Sequence, residues 1–188
     1  IALMAQPLLR DFELGTEELF FSTPMRKGSY LWGRFAAGIV AGLLVFVIIA
    51  ATMIVGSFMP WLDPQRLGPF SWEPYLWSFG IIIIPNLLFI GALLSLLAVT
   101  TRRLLMVFLG VVAFLVLQTV ADALTRDIKY DTIASLLDPF GREAIGRAMR
   151  YWSVTERNTL VPEISGVLLL NRAIWLGVGA VMLAGAHL

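Results

Sequence analysis

The chain has 188 residues, of which 59% are hydrophobic and only 14% are charged, and its mean hydropathy is +0.83. A soluble domain carries about 25% charged residues, so this composition is typical of an integral membrane protein. The net charge of +1 gives no reason to expect nucleic-acid binding, and the absence of cysteine excludes disulfides and thiolate metal sites.

Both ends of the sequence indicate an internal piece of a longer protein. The opening run at 1–9, IALMAQPLL, has neither an initiator Met nor the basic region of a signal peptide, and we interpret it as the end of a membrane span. The last run, AIWLGVGAVMLAGAHL, stops before it has the length of a full span.

The segment 11–30 concentrates acids, aromatic residues and bases in an otherwise apolar chain. Thr16 is suited to cap a short helix whose first turn carries Glu17 and Glu18, where acids favour the helix dipole. Leu19, Phe20 and Phe21 give that helix an apolar side. Thr23 and Pro24 are typical of the end of one helix and the start of the next.

The start of that next helix is rich in residues that favour the membrane interface. Bases and aromatic side chains anchor helices there. The predicted interface anchors are Arg26, Lys27, Tyr30, Trp32 and Arg34.

Long uncharged runs predict three complete spans, at 35–59, 75–99 and 104–121, and a truncated one at 164–188. Basic residues gather before the first of these spans and in the loop 100–103, which the positive-inside rule places in the cytoplasm. The loop 60–74 and the segment 122–163 are then extracytoplasmic. The expected fold is an all-α integral membrane protein, a transmembrane helix bundle with a cytoplasmic coupling helix and an extracytoplasmic helical segment.

Three residues inside the spans are candidates for a hinge or a transport pathway. Pro85 removes a backbone hydrogen bond in mid-span, and Asn86 beside it needs an interhelical partner. Gln118 is a polar residue in the third complete span. The alternative is an ordinary packing kink with polar packing contacts. Gly38 and Gly42 form a G-x-x-x-G pattern, which permits close helix approach.

The segment 122–163 contains the turn LLDPFG and a helical pattern in REAIGRAMRYW, which predicts an amphipathic helix at the membrane surface. Its charged residues indicate either a polar site or ordinary surface ion pairs. The members of that candidate site are Asp138, Arg147, Arg150, Glu156 and Arg157.

No enzyme signature is present. The single histidine, His187, cannot build an H-E-x-x-H zinc motif, and neither a phosphate-binding loop nor a G-x-S-x-G elbow occurs. We therefore expect no catalytic residue, no metal ligand and no cofactor in this segment.

The stretch RDFELGTEELFFSTPMRKGSYLWGRF resembles the cytoplasmic coupling segment of ABC-transporter permeases of the exporter superfamily with six spans per half. Those permeases show Glu, Gly-Thr, Glu-x-Leu, a Thr/Ser-Pro pair, a basic residue and Gly-Lys/Arg in this order. The matching residues here are Glu13, Gly15, Thr16, Glu18, Leu19, Thr23, Pro24, Arg26, Gly33 and Arg34. Later stretches, such as LLDPFGREA, resemble a bacterial subgroup in which the permease is fused to a zinc aminopeptidase domain.

The resemblance implies a multi-pass permease in the bacterial inner membrane, with a partner ABC ATPase that holds ATP and Mg, and a second permease half. Zinc would enter only with an attached peptidase domain. It further implies that the coupling segment docks on the ATPase. The residues expected to make that contact are Glu13, Thr16, Glu17, Glu18, Leu19, Phe20, Phe21 and Pro24. Two alternatives stay open, a membrane anchor of a tethered zinc peptidase and a structural membrane protein that recruits a cytoplasmic partner.

Overall fold

The computed structural model describes residues 3–15, 27–60, 70–124, 130–164 and 166–187, without the side chains of residues 11, 12 and 27. Within these ranges the chain consists of helices joined by turns and loops, and the predicted all-α architecture is confirmed. The described helices are α1 (Gln6–Glu13), α2 (Lys27–Ser57), α3 (Glu73–Thr101), α4 (Leu104–Leu124), α5 (Asp131–Leu137), α6 (Arg142–Ala148), α7 (Val154–Thr159) and α8 (Gly166–His187).

Four of these helices, α2, α3, α4 and α8, are long and apolar enough to cross a membrane. The shortest, α4, has 21 residues, which at 1.5 Å per residue gives about 31 Å, close to the thickness of a bilayer core. Only 11% of the most apolar window of α2 and 6% of that of α4 is buried inside the chain. The remaining apolar surface of these two helices therefore has to face lipid or other helices.

Helix α3 is the centre of the bundle and contacts α1, α2, α4 and α8. It makes its most extensive contact with α8, which runs in the same direction. At this contact Phe89 stacks edge-on against Trp175 with ring centroids 5.0 Å apart. Gly179 of α8 faces the backbone of Phe89, where an added Cβ would lie 3.5 Å from Cα. This close approach buries Phe89 and Ala92 almost completely.

The helical geometry of α3 changes along its length. It is α-helical at Glu73–Trp77, π-helical at Ser78–Ile83 and α-helical again from Ile84 to Thr101. Pro85, which has no N–H to donate, lies two positions after the end of the π-helical turn, and such turns accommodate local breaks in the helical ladder. At the other end, Arg102 has a left-handed conformation with φ 51°, which reverses the chain into α4.

Helix α1 lies at the end of the bundle where α3 ends and α4 begins. Leu8 and Leu9 are buried in one core cluster with Leu94 and Ala98 of α3. The Arg34 guanidinium of α2 donates to the carbonyl of Pro7. The predicted span end at 1–9 and the predicted coupling segment at 11–30 thus meet inside one short helix packed on two spans.

The G-x-x-x-G pattern of α2 faces the turn that precedes α1. A Cβ at Gly38 would lie 3.0 Å from the carbonyl oxygen of Leu3, and one at Gly42 would lie 3.0 Å from Leu87 of α3. The two glycines therefore allow the backbone near Leu3 and the neighbouring helix α3 to approach α2 closely.

Helices α5 and α6 form a helical hairpin at the opposite end of the bundle from α1. Arg147 of α6 bonds the Thr132 hydroxyl of α5 at 2.6 Å and the Asp131 carboxylate at 3.4 Å. The turn between the arms places Phe140 against Phe114, near the middle of α4, with ring centroids 6.3 Å apart. The turn of the hairpin thus packs against α4. The predicted amphipathic helix corresponds to α6, and its position at a membrane surface stays a prediction.

Helix α7 begins with a capping box. The Ser153 hydroxyl accepts from the Glu156 N–H at 3.3 Å, and the Glu156 carboxylate accepts from the Ser153 N–H at 2.7 Å. The segment after α7 is fixed to α3, because the Trp77 indole N–H donates to the Pro162 carbonyl at 2.8 Å.

The capping box predicts an acid-sensitive helix α7. The Ser153 backbone N–H, followed by its hydroxyl, lowers the pKa of Glu156 below its ordinary value of 4.5. A lowered folded-state pKa means that this contribution is fully present above pH 4.5 and is lost as the pH falls through the lowered pKa. We expect the hydrogen-exchange protection factors of α7 to be constant above about pH 6 and to fall in acid. Glu156→Gln should lower the protection factors at neutral pH and abolish their fall in acid. If they fell in acid as in the wild type, Glu156 would not be the group that makes α7 acid-sensitive.

Candidate functional site

The residues predicted to contact an ATPase fall mostly outside the described residues. Glu13 is exposed at the last position of α1. The predicted contacts that lie outside the described residues are Thr16, Glu17, Glu18, Leu19, Phe20, Phe21 and Pro24. The described chain ends two residues after α1, at Gly15, immediately before this segment.

The predicted interface anchors stand at the start of α2, beside α1. Arg34 lies over the Tyr30 ring, with the guanidinium carbon 4.6 Å from the ring centroid, and Trp32 is 52% exposed. Lys27 begins α2 without a described side chain, and Arg26 is outside the described residues.

Basic residues gather at this end of the bundle. Arg10 of α1 is exposed, and Arg102 and Arg103 form the connection between α3 and α4. Helix α1, the start of α2 and this connection are neighbours, because Leu9, Leu31 and Val107 belong to one buried cluster. A membrane face crowded with bases is typical of the cytoplasmic side.

A second constellation lies between the spans, and we call Asn86, Asp138, Asn171 and Arg172 the buried polar cluster. Arg172 of α8 is only 5% exposed. Its Nη1 donates to Asn86 Oδ1 at 2.9 Å, its Nε donates to Asn171 Oδ1 at 2.9 Å, and its Nη2 donates to the Pro139 carbonyl at 3.2 Å. Burying a charged side chain among apolar helices costs free energy, and such residues are almost always paired in this way.

Asn171 connects Arg172 to the backbone of the hairpin turn. Its amide nitrogen donates to the carbonyls of Ser135 at 2.6 Å and Asp138 at 2.8 Å, while its oxygen accepts from Arg172. These carbonyls end helix α5, where orphan acceptors have no partner within the helix. Asn171 is completely buried. It therefore donates the hydrogen bonds that water cannot bring to these carbonyls.

Asp138 organises the turn itself. One carboxylate oxygen accepts from the Phe140 N–H and the other from the Glu143 N–H, each at 2.9 Å. The second bond places a carboxylate at the start of α6, where it favours the helix dipole. Gly141 follows with φ +78°, a conformation that favours glycine.

The hydrogen bonds of the buried polar cluster are directed at other members of the cluster or at the turn backbone. All three nitrogens of the Arg172 guanidinium have acceptors, both ends of the Asn171 amide are used, and both oxygens of Asp138 accept N–H groups. This arrangement joins α3, α8 and the hairpin into one unit. It leaves little hydrogen-bonding capacity for a ligand.

The three candidate hinge or pathway residues lie at different places. Pro85 is buried beside the π-helical turn. Asn86 has the interhelical partner that its position requires, since it accepts from Arg172 and donates to the Phe140 carbonyl at 3.3 Å. Gln118 donates within its own helix to Asp122 at 2.8 Å, and Asp122 also pairs with Arg142 at 3.3 Å.

The structure does not gather the polar site predicted in the segment 122–163. Asp138 is buried in the turn, Arg147 and Arg150 both pair with Asp131, and Glu156 belongs to the α7 capping box. Arg157 donates to the Met149 carbonyl at 3.3 Å. The Asp131 partner also raises the pKa of Arg150.

Sequence reasoning missed the role of Asn171 and Arg172. The signal was present, because an amide and a guanidinium interrupt an apolar run long enough to be a span. Comparisons of the chain with protein-family models, with curated proteins and with solved structures found no match.

Proposed function

We propose that this chain is part of the membrane-spanning permease of an ATP-driven ABC transporter, which couples ATP hydrolysis by a partner ATPase to substrate movement. The observation that carries the proposal is the position of α1. This helix packs on two spans at the base-rich end of the bundle and leads directly into the segment whose sequence resembles a coupling segment.

The contacts of α1 would allow it to pass a displacement to the spans. Leu8 and Leu9 are buried against α3, and Pro7 receives the Arg34 hydrogen bond from α2. Close-packed contacts of this kind transmit movement because interiors have low compressibility. A push on the coupling segment would therefore reach α2 and α3 together.

Helix α3 would carry that displacement to the other end of the bundle. It contacts α8 in the half nearer α1 through Ala92 and Gly179, and it meets the hairpin through Asn86. The π-helical turn beside Pro85 lies on the same helix, and such turns are frequent at functional sites. In this proposal Pro85 and Asn86 act as a hinge region.

The proposal assigns the chemistry of ATP and Mg to the partner ATPase and gives this chain no catalytic residue. Glu13, Glu17 and Glu18 would face basic residues of the ATPase, and Leu19, Phe20 and Phe21 would fill an apolar groove on it. A second permease half would complete the path. The location would be the bacterial inner membrane, with α1 on the cytoplasmic side.

The test is a purification of the full-length protein from its native membrane in a gentle detergent, followed by identification of the co-purifying chains. The proposal expects a nucleotide-binding ATPase subunit and ATP hydrolysis by the preparation. A preparation with neither would contradict it and would favour an anchor or a recruiting protein instead.

A further inference from the structure

A cleft of about 720 Å³ opens between the hairpin-side halves of α2 and α3, and we call it the side cleft. Its walls are Phe46, Ile49 and Met53 of α2 and Phe79 and Ile83 of α3. The end of α2, the start of α3 and α7 line the part of the cleft nearest the hairpin, which we call its upper part. No residue of the buried polar cluster lines it, so it is a separate feature of the molecule.

The polarity of the side cleft changes along its length. Its deep part, at Phe46 and Ile83, is apolar. Its upper part contains hydroxyl and amide groups, which are contributed by Ser57, Ser71, Tyr75, Ser78, Asn158 and Thr159. No charged side chain occurs among the described residues of its lining.

Three of these polar groups are available to a ligand. In the part of the chain that the structure describes, the Tyr75 hydroxyl, the Ser78 hydroxyl and the Asn158 amide make no hydrogen bond to protein. The π-helical turn begins at Ser78 and so contributes one of these groups to the cleft wall.

The depth of the side cleft corresponds to one leaflet of a bilayer. Phe46 precedes the end of α2 at Ser57 by 11 residues, which is about 16 Å along a helix. Half of a hydrocarbon core is about 15 Å thick. A molecule in this cleft would thus have a polar group at the interface and a chain that reaches the bilayer midplane.

We propose that the side cleft binds one zwitterionic phospholipid from the leaflet on the hairpin side. An acyl chain would lie along the apolar wall, and the headgroup would accept hydrogen bonds from Tyr75, Ser78 and Asn158. The lack of charged residues in the described lining disfavours an anionic headgroup, which would want a basic partner. This binding does not depend on an ATPase and goes beyond the proposed transport function.

The experiment uses the full-length protein in lipid nanodiscs that contain phosphatidylcholine with a photoactivatable diazirine at the end of one acyl chain. After irradiation, peptide mapping by mass spectrometry locates the adducts. We expect adducts near Phe46 and Ile83. Labelling spread evenly over the exposed faces of α2 and α4 would overturn the proposal.

A matched pair of variants separates the side cleft from the general lipid surface. Ala50→Trp places an indole in the cleft and should lower the yield of cleft adducts about tenfold, since a steric cost at the low end of the usual range for overpacking weakens binding of the acyl chain by about this factor. Ala51→Trp adds the same side chain to the adjacent exposed position outside the lining and should leave the yield unchanged. Equal yields in the two variants would contradict the assignment.

Two further arms test what occupies the cleft. The same probe with a phosphatidylglycerol headgroup should label the cleft more weakly, and preferential labelling by it would overturn the headgroup assignment. These 188 residues contain no cysteine, so Met53→Cys, introduced into a full-length protein whose other cysteines are replaced by serine, tests for a second copy. Efficient disulfide formation between two chains at this position would show that protein covers the cleft and would sink the lipid proposal.

Discussion

Asn171→Leu is expected to lower the stability of the protein by about 3 kcal/mol, because hydrogen bonds to a charged group are worth about 1.5–3 kcal/mol and their loss leaves buried groups unpaired. The substitution removes the acceptor of the Arg172 Nε and the donor to the carbonyls of Ser135 and Asp138. Leucine can neither donate nor accept, so it satisfies none of these groups.

The measurement is the apparent melting temperature of the full-length protein in detergent, with hydrogen exchange of the hairpin as a local readout. The control is Gln6→Leu, because Gln6 is exposed and makes no hydrogen bond within the described residues. Its effect should stay within about 0.5 kcal/mol, as for ordinary surface substitutions. Equal melting temperatures of the two variants would show that the buried polar cluster does not hold the hairpin.

Gly141→Ala is expected to have an effect of similar size for a different reason. The glycine has φ +78°, a left-handed conformation that costs alanine about 1–2 kcal/mol. An added Cβ would also lie too close to Arg172 Nη2, so the guanidinium would have to leave the Pro139 carbonyl. We expect a total loss of about 3 kcal/mol from strain and lost hydrogen bonding together.

Gly146→Ala is the matched control, because this glycine lies inside α6 with open space around it. Alanine should leave stability unchanged or raise it by up to about 1 kcal/mol through helix propensity. The double variant Gly141→Ala with Arg172→Met tests the contact itself. Since both changes act on one pair, the loss in the double variant should be smaller than the sum of the single losses, and strict additivity would contradict the clash.

The four long apolar helices could be predicted from the sequence because uncharged runs of this length are typical of membrane-spanning helices. The predicted spans 35–59, 75–99 and 104–121 lie within or nearly within helices α2, α3 and α4, and the truncated run 164–188 corresponds to α8. The helices extend beyond the apolar runs at several ends, since hydropathy detects the apolar part of a helix and polar residues such as Glu73 and Thr101 can continue it.

The contacts of the hairpin could not be predicted in the same way. Helical spacing in REAIGRAMRYW indicates an apolar side of a helix but not which helices it packs against. The position of the hairpin depends on contacts between residues distant in sequence, such as Asn171 with Ser135 and Phe140 with Phe114. A single sequence gives no information on which distant polar residues meet.

Asn86 illustrates how far the site itself could be anticipated. Its polarity in mid-span predicts an interhelical partner, and the structure supplies Arg172 for it. Which residue that partner is could not be predicted, because it depends on the parallel packing of α3 and α8 in the folded protein. The coupling residues are the opposite case, because the prediction that they contact an ATPase rests on sequence resemblance and all of them except Glu13 lie outside the described residues.

The most direct test of the transport proposal is the ATP hydrolysis rate of the purified complex, with wild type compared to Glu17→Lys and Glu18→Lys. The proposal predicts that charge reversal on the coupling segment releases the ATPase or uncouples its turnover, while Glu73→Lys at the opposite end of the bundle does neither. ATP turnover and ATPase binding that are the same in all four proteins would contradict the assignment of this segment as the coupling element.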